Sequence, residues 1–68
     1  MSELSVKVGQ LIRIKRTQKS ISQESLALQC GIDRSYIGRI ERGEVNITVE
    51  KLYDIAAVLE ISAKELLP

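Results

Sequence analysis

Residues 23–42 of this 68-residue chain read QESLALQCGIDRSYIGRIER, and this stretch decides the fold. Its apolar residues recur at helical spacing on both sides of Gly31, and glycine commonly ends a helix because it reaches the left-handed conformation easily. Ser22 stands at the N-cap position of a first short helix and Asp33 at that of a second. We therefore predict two helices, the first ending at about Cys30, separated by a turn of three residues. We call residues 23–42 the two-helix unit.

The second helix of this unit has one apolar and one polar face. The short turn forces the two helices to cross closely, and Ala27 supplies the small residue that such a crossing needs. Ile37 and Ile40 point to one side, and the other side carries only polar residues and a tyrosine, namely Arg34, Ser35, Tyr36, Arg39 and Arg42. Short helices joined in this way typically hold the second one out toward a DNA groove. An ordinary helical hairpin with a solvated arginine face is the alternative.

Composition excludes several kinds of site. The chain has no histidine, and its one cysteine, Cys30, lies on an apolar stripe, so no disulfide, metal cluster or Cys/His nucleophile can be assembled. We therefore expect no enzyme, no metal and no cofactor. No apolar run reaches membrane-spanning length and the N-terminus lacks a signal-peptide core, which predicts a cytoplasmic, nucleoid-associated protein without a membrane partner. The length predicts a single domain over residues 1–68.

Charge is distributed unevenly along the chain. The net charge is only +1, but residues 1–42 carry eight basic and four acidic side chains, whereas residues 43–68 carry two and five. The basic part contains the two-helix unit. This is the distribution expected when that unit contacts nucleic acid.

The flanking segments predict three more helices. A first helix is expected from Leu4 or Ser5 to Gln18, after a frayed start, because Val8 and Ile12 recur one turn apart. A second apolar stripe on it either meets the C-terminal helix, which we favour, or is an exposed partner surface. That stripe consists of Leu4, Leu11 and Ile14.

Two further capping residues mark the C-terminal helices. Thr48 is placed to cap a fourth helix, whose apolar residues from Val49 to Leu59 follow the helical period. Ser62 and Glu65 form a capping box for a last short helix.

The motifs of the two-helix unit resemble those of the lambda-repressor-like (Cro/repressor) helix-turn-helix family. That family combines Ser-Gln-Glu-x-Leu-Ala, a glycine turn and Ile-Glu-x-Gly, which stand here at 22–27, 31 and 40–43. The run DRSYI at 33–37, followed by IER at 40–42 and Asn46, is most similar to the controller proteins of restriction–modification systems. The resemblance implies an all-α, compact five-helix bundle with the helix-turn-helix in helices 2 and 3.

The resemblance also implies roles for individual side chains. Arg34, Ser35 and Arg39 are expected to contact DNA bases, and arginine is the usual bidentate reader of guanine. Expected phosphate contacts are Gln23, Tyr36, Arg42 and Asn46. Arg16 and Glu41 are implied to form a partly buried ion pair, the alternative being a solvated arginine.

We therefore expect a sequence-specific DNA-binding transcriptional regulator that binds a palindromic operator as a homodimer, with a restriction–modification controller as one form. A phage-type repressor and an antitoxin-like protein-interaction module are the alternatives, and Leu28 at a normally polar site favours the latter. Expected partners are double-stranded operator DNA, a second copy through the C-terminal helices and, as a further option, RNA polymerase. The resemblance implies four candidate residues for the dimer interface, which are Val58, Ile61, Leu66 and Leu67.

Overall fold

α-Helices make up most of the computed structural model, which describes residues 2–68. Within these residues the α-helices are α1 (Glu3–Gln18), α2 (Gln23–Cys30), α3 (Arg34–Glu41) and α4 (Val49–Leu59), and a 3₁₀ helix follows over Ala63–Leu66. The predicted all-α bundle with its two-helix unit is confirmed.

Side-chain caps set the starts of three helices. The Ser22 hydroxyl accepts a hydrogen bond from the Ser25 N–H at 3.0 Å, and the Thr48 hydroxyl accepts one from the Lys51 N–H at 3.1 Å. Both predicted caps are therefore confirmed. The hydroxyl of Ser2 caps α1 in the same way. α1 thus begins at Glu3, one or two residues before the predicted start at Leu4 or Ser5, so the frayed start expected up to about Ser5 is not observed from residue 3 onward, and Met1 lies outside the described residues.

The turn between α2 and α3 is built partly as predicted. Gly31 adopts the left-handed conformation, with φ 70° and ψ 31°, and ends α2. Asp33 does occupy the N-cap position of α3, but its carboxylate forms no capping hydrogen bond and stays in solvent. The expected side-chain cap is therefore absent, and α3 begins through the Asp33 carbonyl, which accepts the Tyr36 N–H at 3.0 Å.

The last predicted helix is a single 3₁₀ turn. The N–H of Ser62 donates to Glu65 Oε2 at 3.2 Å, and the predicted capping box of these two residues is present at the start of the turn. Leu67 then turns to an extended conformation, which is the conformation favoured for a residue that precedes proline. The segment is too short to continue as an α-helix before Pro68.

The core lies between all five helical elements and contains Val8, Ile12, Leu26, Ala27, Ile37, Ile40, Leu52, Ile55, Ala56, Leu59 and Leu66. Fully burying one valine, leucine or isoleucine side chain stabilises the fold by roughly 1.5–3 kcal/mol. Leu66 is completely inaccessible. Its predicted place in a dimer interface is therefore wrong, because its surface is already used within one chain.

The second apolar stripe of α1 is not buried as we favoured. Leu4 and Ile14 remain 59% and 47% exposed, and Leu11 is half-buried. The C-terminal 3₁₀ helix also forms an ion pair with α1, with Lys15 Nζ 3.6 Å from Glu65 Oε1. None of the helices within residues 2–68 combines the length and the apolar character needed to cross a membrane.

Candidate nucleic-acid interface

α2 and α3 are joined by a tight turn in which two backbone N–H groups donate hydrogen bonds back to α2. The Ile32 N–H donates to the Ala27 carbonyl at 3.0 Å, and the Gly31 N–H donates to the Leu28 carbonyl at 3.2 Å. Ala27 is buried at the crossing. Because these contacts reverse the chain direction within three residues, α3 packs across α2 in a defined orientation.

The orientation of α3 follows from its own apolar residues. Ile37 and Ile40 are buried in the core, which turns the opposite side of the helix to solvent. The three predicted base-contacting residues are all exposed, and they are Arg34, Ser35 and Arg39. The structure therefore leaves two arginines of α3, five positions apart, accessible to a ligand.

A buried ion pair fixes the end of α3 to α1. Arg16 Nε lies 2.6 Å from Glu41 Oε2, and Arg16 Nη2 lies 3.0 Å from Glu41 Oε1, so the contact is bidentate. Arg16 Nη1 also donates to the Ile21 carbonyl at 2.8 Å. Both side chains are almost inaccessible, at 11% and 3% exposed. The pair therefore has a structural role, because neither side chain is accessible to a ligand.

Gln23, a predicted phosphate contact, is joined to the same carboxylate. Its amide Nε2 donates to Glu41 Oε1 at 3.0 Å, and its side chain is half-buried. A Cβ added to Gly38 would lie 3.9 Å from Gln23 Oε1 and 3.1 Å from Arg42 Nη1. The polar ends of Gln23 and Arg42 therefore both lie beside Gly38, so two predicted phosphate contacts are close together.

The other two predicted phosphate contacts are placed differently. Tyr36 is half-buried and packs against the core. Asn46 is exposed in the loop before α4, and its Oδ1 accepts the Ser5 hydroxyl at 2.6 Å. The carbonyl side of the Asn46 amide is thus occupied by α1. Its NH₂ group is the side left to donate to another acceptor.

Two residues that contact the predicted DNA-binding side chains were missed by sequence reasoning. Ser5, which is buried, orients Asn46 and receives a hydrogen bond from the Ser2 hydroxyl at 2.8 Å. Glu44 pairs with Arg42, with Nε and Oε2 2.6 Å apart, and its Oε1 lies 4.0 Å from Arg39 Nε. The Arg42 hydrogen bond lowers the pKa of the Glu44 carboxyl. No pattern in the sequence indicated either contact, since both join different elements or a loop.

Beyond the candidate interface, the described residues include one free cysteine and an apolar depression. Residues 2–68 contain no group of three or more His, Cys, Asp or Glu side chains placed to hold a metal ion. Cys30 is half-buried, and desolvation, followed by the nearby charge of Asp54, raises the pKa of its thiol. An apolar depression of about 330 Å³ lies between the starts of α1 and α4, with Leu4, Val49 and Leu67 in its lining.

Comparison with known proteins decides the family. A family model described as helix-turn-helix matches residues 12–66, which include the whole two-helix unit. The chain belongs to the helix-turn-helix family. In the terms of that family, α2 and α3 are the helix-turn-helix and α3 is the recognition helix.

Several helix-turn-helix relatives are regulators or controllers by name. The hypothetical transcription factor of Neisseria meningitidis serogroup B is 43% identical over 56 residues, which are 82% of this chain and 53% of that protein. Control protein C.BamHI of Bacillus amyloliquefaciens is 42% identical over 60 residues, 87% of this chain and 74% of the relative. The chain thus spans about half of the first of these proteins and about three quarters of the second.

Solved structures agree with this assignment. The crystal structure of the restriction-modification controller protein C.AhdI from Aeromonas hydrophila matches with a TM-score of 0.89 and 44% identity, covering 93% of this chain and 96% of that one. The predicted resemblance to controller proteins is confirmed.

Proposed function

We propose that this helix-turn-helix protein is a sequence-specific transcriptional regulator of the restriction–modification controller type, which binds a palindromic operator as a homodimer in the cytoplasm. One observation carries the proposal: α3 is held in the fold by its apolar side and by the Arg16–Glu41 pair, while Arg34 and Arg39 are both exposed. A rigid helix with outward guanidinium groups is what direct reading of a major groove requires.

The proposed contacts divide into two kinds. Arg34, Ser35 and Arg39 reach base edges, where an arginine recognises guanine through O6 and N7. The remaining contacts position the protein on the phosphate backbone and come from Gln23, Tyr36, Arg42 and Asn46. The assignment of the phosphate contacts rests on the resemblance to the controller proteins; in such complexes phosphate contacts position the protein and base contacts specify the sequence.

A dimer lets two short recognition helices bind one operator together. Two linked helices engage half-sites about 34 Å apart, one turn of DNA. Val58 and Ile61 are half-buried and Leu67 is 49% exposed, so these three remain available for the proposed interface. A contact with RNA polymerase stays a prediction.

Selection from a randomised duplex pool at two salt concentrations tests this function. We expect enrichment of a palindrome with a G·C pair in each half-site, and weaker binding at the higher salt concentration. The matched control is an Arg34→Ala/Arg39→Ala double variant, which keeps the core intact because both side chains are exposed. Absence of any enriched sequence for the unaltered protein would refute the proposal.

A protein-interaction module is the second candidate, and one observation favours it. Leu28, on α2, is 81% exposed. An apolar residue so exposed on a helix is suited to a protein partner. Retention of a protein without any DNA in an affinity capture, lost on Leu28→Gln, would favour this candidate over the first.

A further inference from the structure

Glu44 lies between the residues proposed to contact DNA. It follows Arg42 by two positions and precedes Asn46 by two, in the loop that leaves the recognition helix. Its backbone N–H donates to the Arg39 carbonyl at 3.0 Å, which fixes the loop against the end of α3. The backbone of residue 44 is therefore held beside the end of α3, within reach of the arginine side chains.

The carboxylate accepts a hydrogen bond from one guanidinium group that DNA would use and lies near a second. Glu44 Oε2 accepts from Arg42 Nε at 2.6 Å, and Oε1 lies 4.0 Å from Arg39 Nε. A carboxylate and a phosphate present similar oxygen pairs to a guanidinium group. The side chains are 60%, 54% and 40% exposed for Arg42, Arg39 and Glu44, so DNA can reach all three.

We propose that Glu44 is an intramolecular competitor of the DNA phosphate: it occupies Arg42 and draws on Arg39 in the free protein, and lowers the affinity for every duplex. The proposal rests on the proposed function. When Arg42 turns to a phosphate, Glu44 loses its partner and faces the phosphate backbone with an unshared negative charge. Each effective phosphate contact gives a slope of about −0.9 in log K against log salt, and Glu44 offsets one such contact.

A binding titration with Glu44→Gln tests this. The probe is a random-sequence duplex of roughly 20 base pairs, about two turns of DNA, measured in parallel with any sequence enriched by selection. We expect the variant to bind about eightfold more tightly at 0.1 M salt, with the salt slope steeper by about 0.9 and the difference vanishing toward 1 M. In an Arg42→Ala background, Glu44→Gln should give less than half of this gain, because the competition for Arg42 no longer exists.

Glu3→Gln is the matched control. Glu3 also belongs to an exposed ion pair, with Lys7 at 3.2 Å, and its loss changes the net charge equally. If both variants gain equally, or Glu44→Gln gains nothing while the unaltered protein binds DNA, the competition is refuted and the proposed function stands. An undiminished gain in the Arg42→Ala background also refutes it. If no form of the protein binds any duplex, both proposals fail. Should Glu44→Gln fold poorly, Glu44→Ser repeats the test.

Discussion

Gly9 of α1 lies against the Ile40 carbonyl of α3 so closely that a Cβ at position 9 would overlap this oxygen, and it would also lie 2.8 Å from the Glu41 carbonyl. Backbone atoms cannot move aside as a side chain can. The crossing of α1 and α3 therefore depends on the absence of a side chain at position 9, and this crossing places the recognition helix.

Gly9→Ala should lower the free energy of unfolding despite the better helix propensity of alanine. Overpacking of this kind costs typically 1–3 kcal/mol, and here the overlap involves the backbone of the helix that reads DNA. Urea unfolding followed by circular dichroism measures the change.

Gly38→Ala is the internal comparison. It is also a helical glycine, but its added Cβ would meet the Arg42 guanidinium, the end of a flexible side chain, at 3.1 Å. We expect stability to rise by up to about 1 kcal/mol, the propensity difference between glycine and alanine. Equal effects of the two substitutions would show that the α1–α3 crossing is looser than described.

Arg16→Ala should be among the most destabilising single changes in the chain. It strands the buried Glu41 carboxylate, and breaking a buried pair costs about 3–5 kcal/mol. Arg13→Ala, on the exposed side of the same helix, should change stability by less than about 0.5 kcal/mol. Chemical unfolding of both variants checks this, and similar values would mean that the pair is solvated.

Arg39→Ala and Arg42→Ala should affect DNA binding differently. Loss of a base contact costs about 1–3 kcal/mol and relaxes specificity at one position of the site, which we expect for Arg39. Loss of a phosphate contact weakens binding to all sequences alike and reduces the salt slope by about 1, which we expect for Arg42. Binding to an enriched site and its single-base variants at several salt concentrations separates the two. The assignment is wrong if Arg42→Ala alters base preference.

Ser5→Ala should weaken DNA binding only through Asn46. The Ser5 hydroxyl holds Asn46 Oδ1 at 2.6 Å, and a net hydrogen bond contributes about 0.5–1.5 kcal/mol. We expect a uniform loss of affinity, smaller than the loss caused by Asn46→Ala. In an Asn46→Ala background, Ser5→Ala should change nothing further, and an additive loss would assign Ser5 a role of its own.

The Cys30 thiol should react slowly with iodoacetamide in the folded protein. Burial first, then the Asp54 charge, raises its pKa above the ordinary value of 9.0, so less thiolate is present than in the unfolded chain at about pH 8. Asp54→Asn should speed the reaction in part. The thiol ionises at a lower pH in the unfolded chain than in the folded protein. The free energy of unfolding should therefore fall as the pH rises above about 9. Equal rates in folded and urea-unfolded protein would contradict the burial.

Helix ends were predictable where a single residue acts on its own neighbours. Ser22, Gly31 and Thr48 each cap a helix as expected, because the bond or conformation involves residues at most four positions away. The same reasoning failed at Asp33, whose position is right although its carboxylate forms no capping bond. A cap position can be read from the residue type, but whether the side chain turns back is a matter of local competition with solvent.

Residues that act across elements were harder to place. Leu66 and Ile14 both belong to apolar patterns, yet Leu66 is fully buried and Ile14 is 47% exposed. Hydropathy indicates which residues favour burial, but the available partners depend on how the helices cross. Glu44 was missed for the same reason, since its proximity to Arg39 and Arg42 arises only when the loop folds back on α3.

The sequence by itself determined the order of the helices, the turn at Gly31 and the arginine-rich outer face of α3, because these follow from the spacing and conformational preferences of neighbouring residues. Only the tertiary structure decided that α1 crosses α3 at Gly9, that Ser5 orients Asn46 and that Glu44 forms an ion pair with Arg42. Such contacts join distant segments or fold a loop back on a helix. Their geometry is set by packing of the whole core, which no local pattern contains.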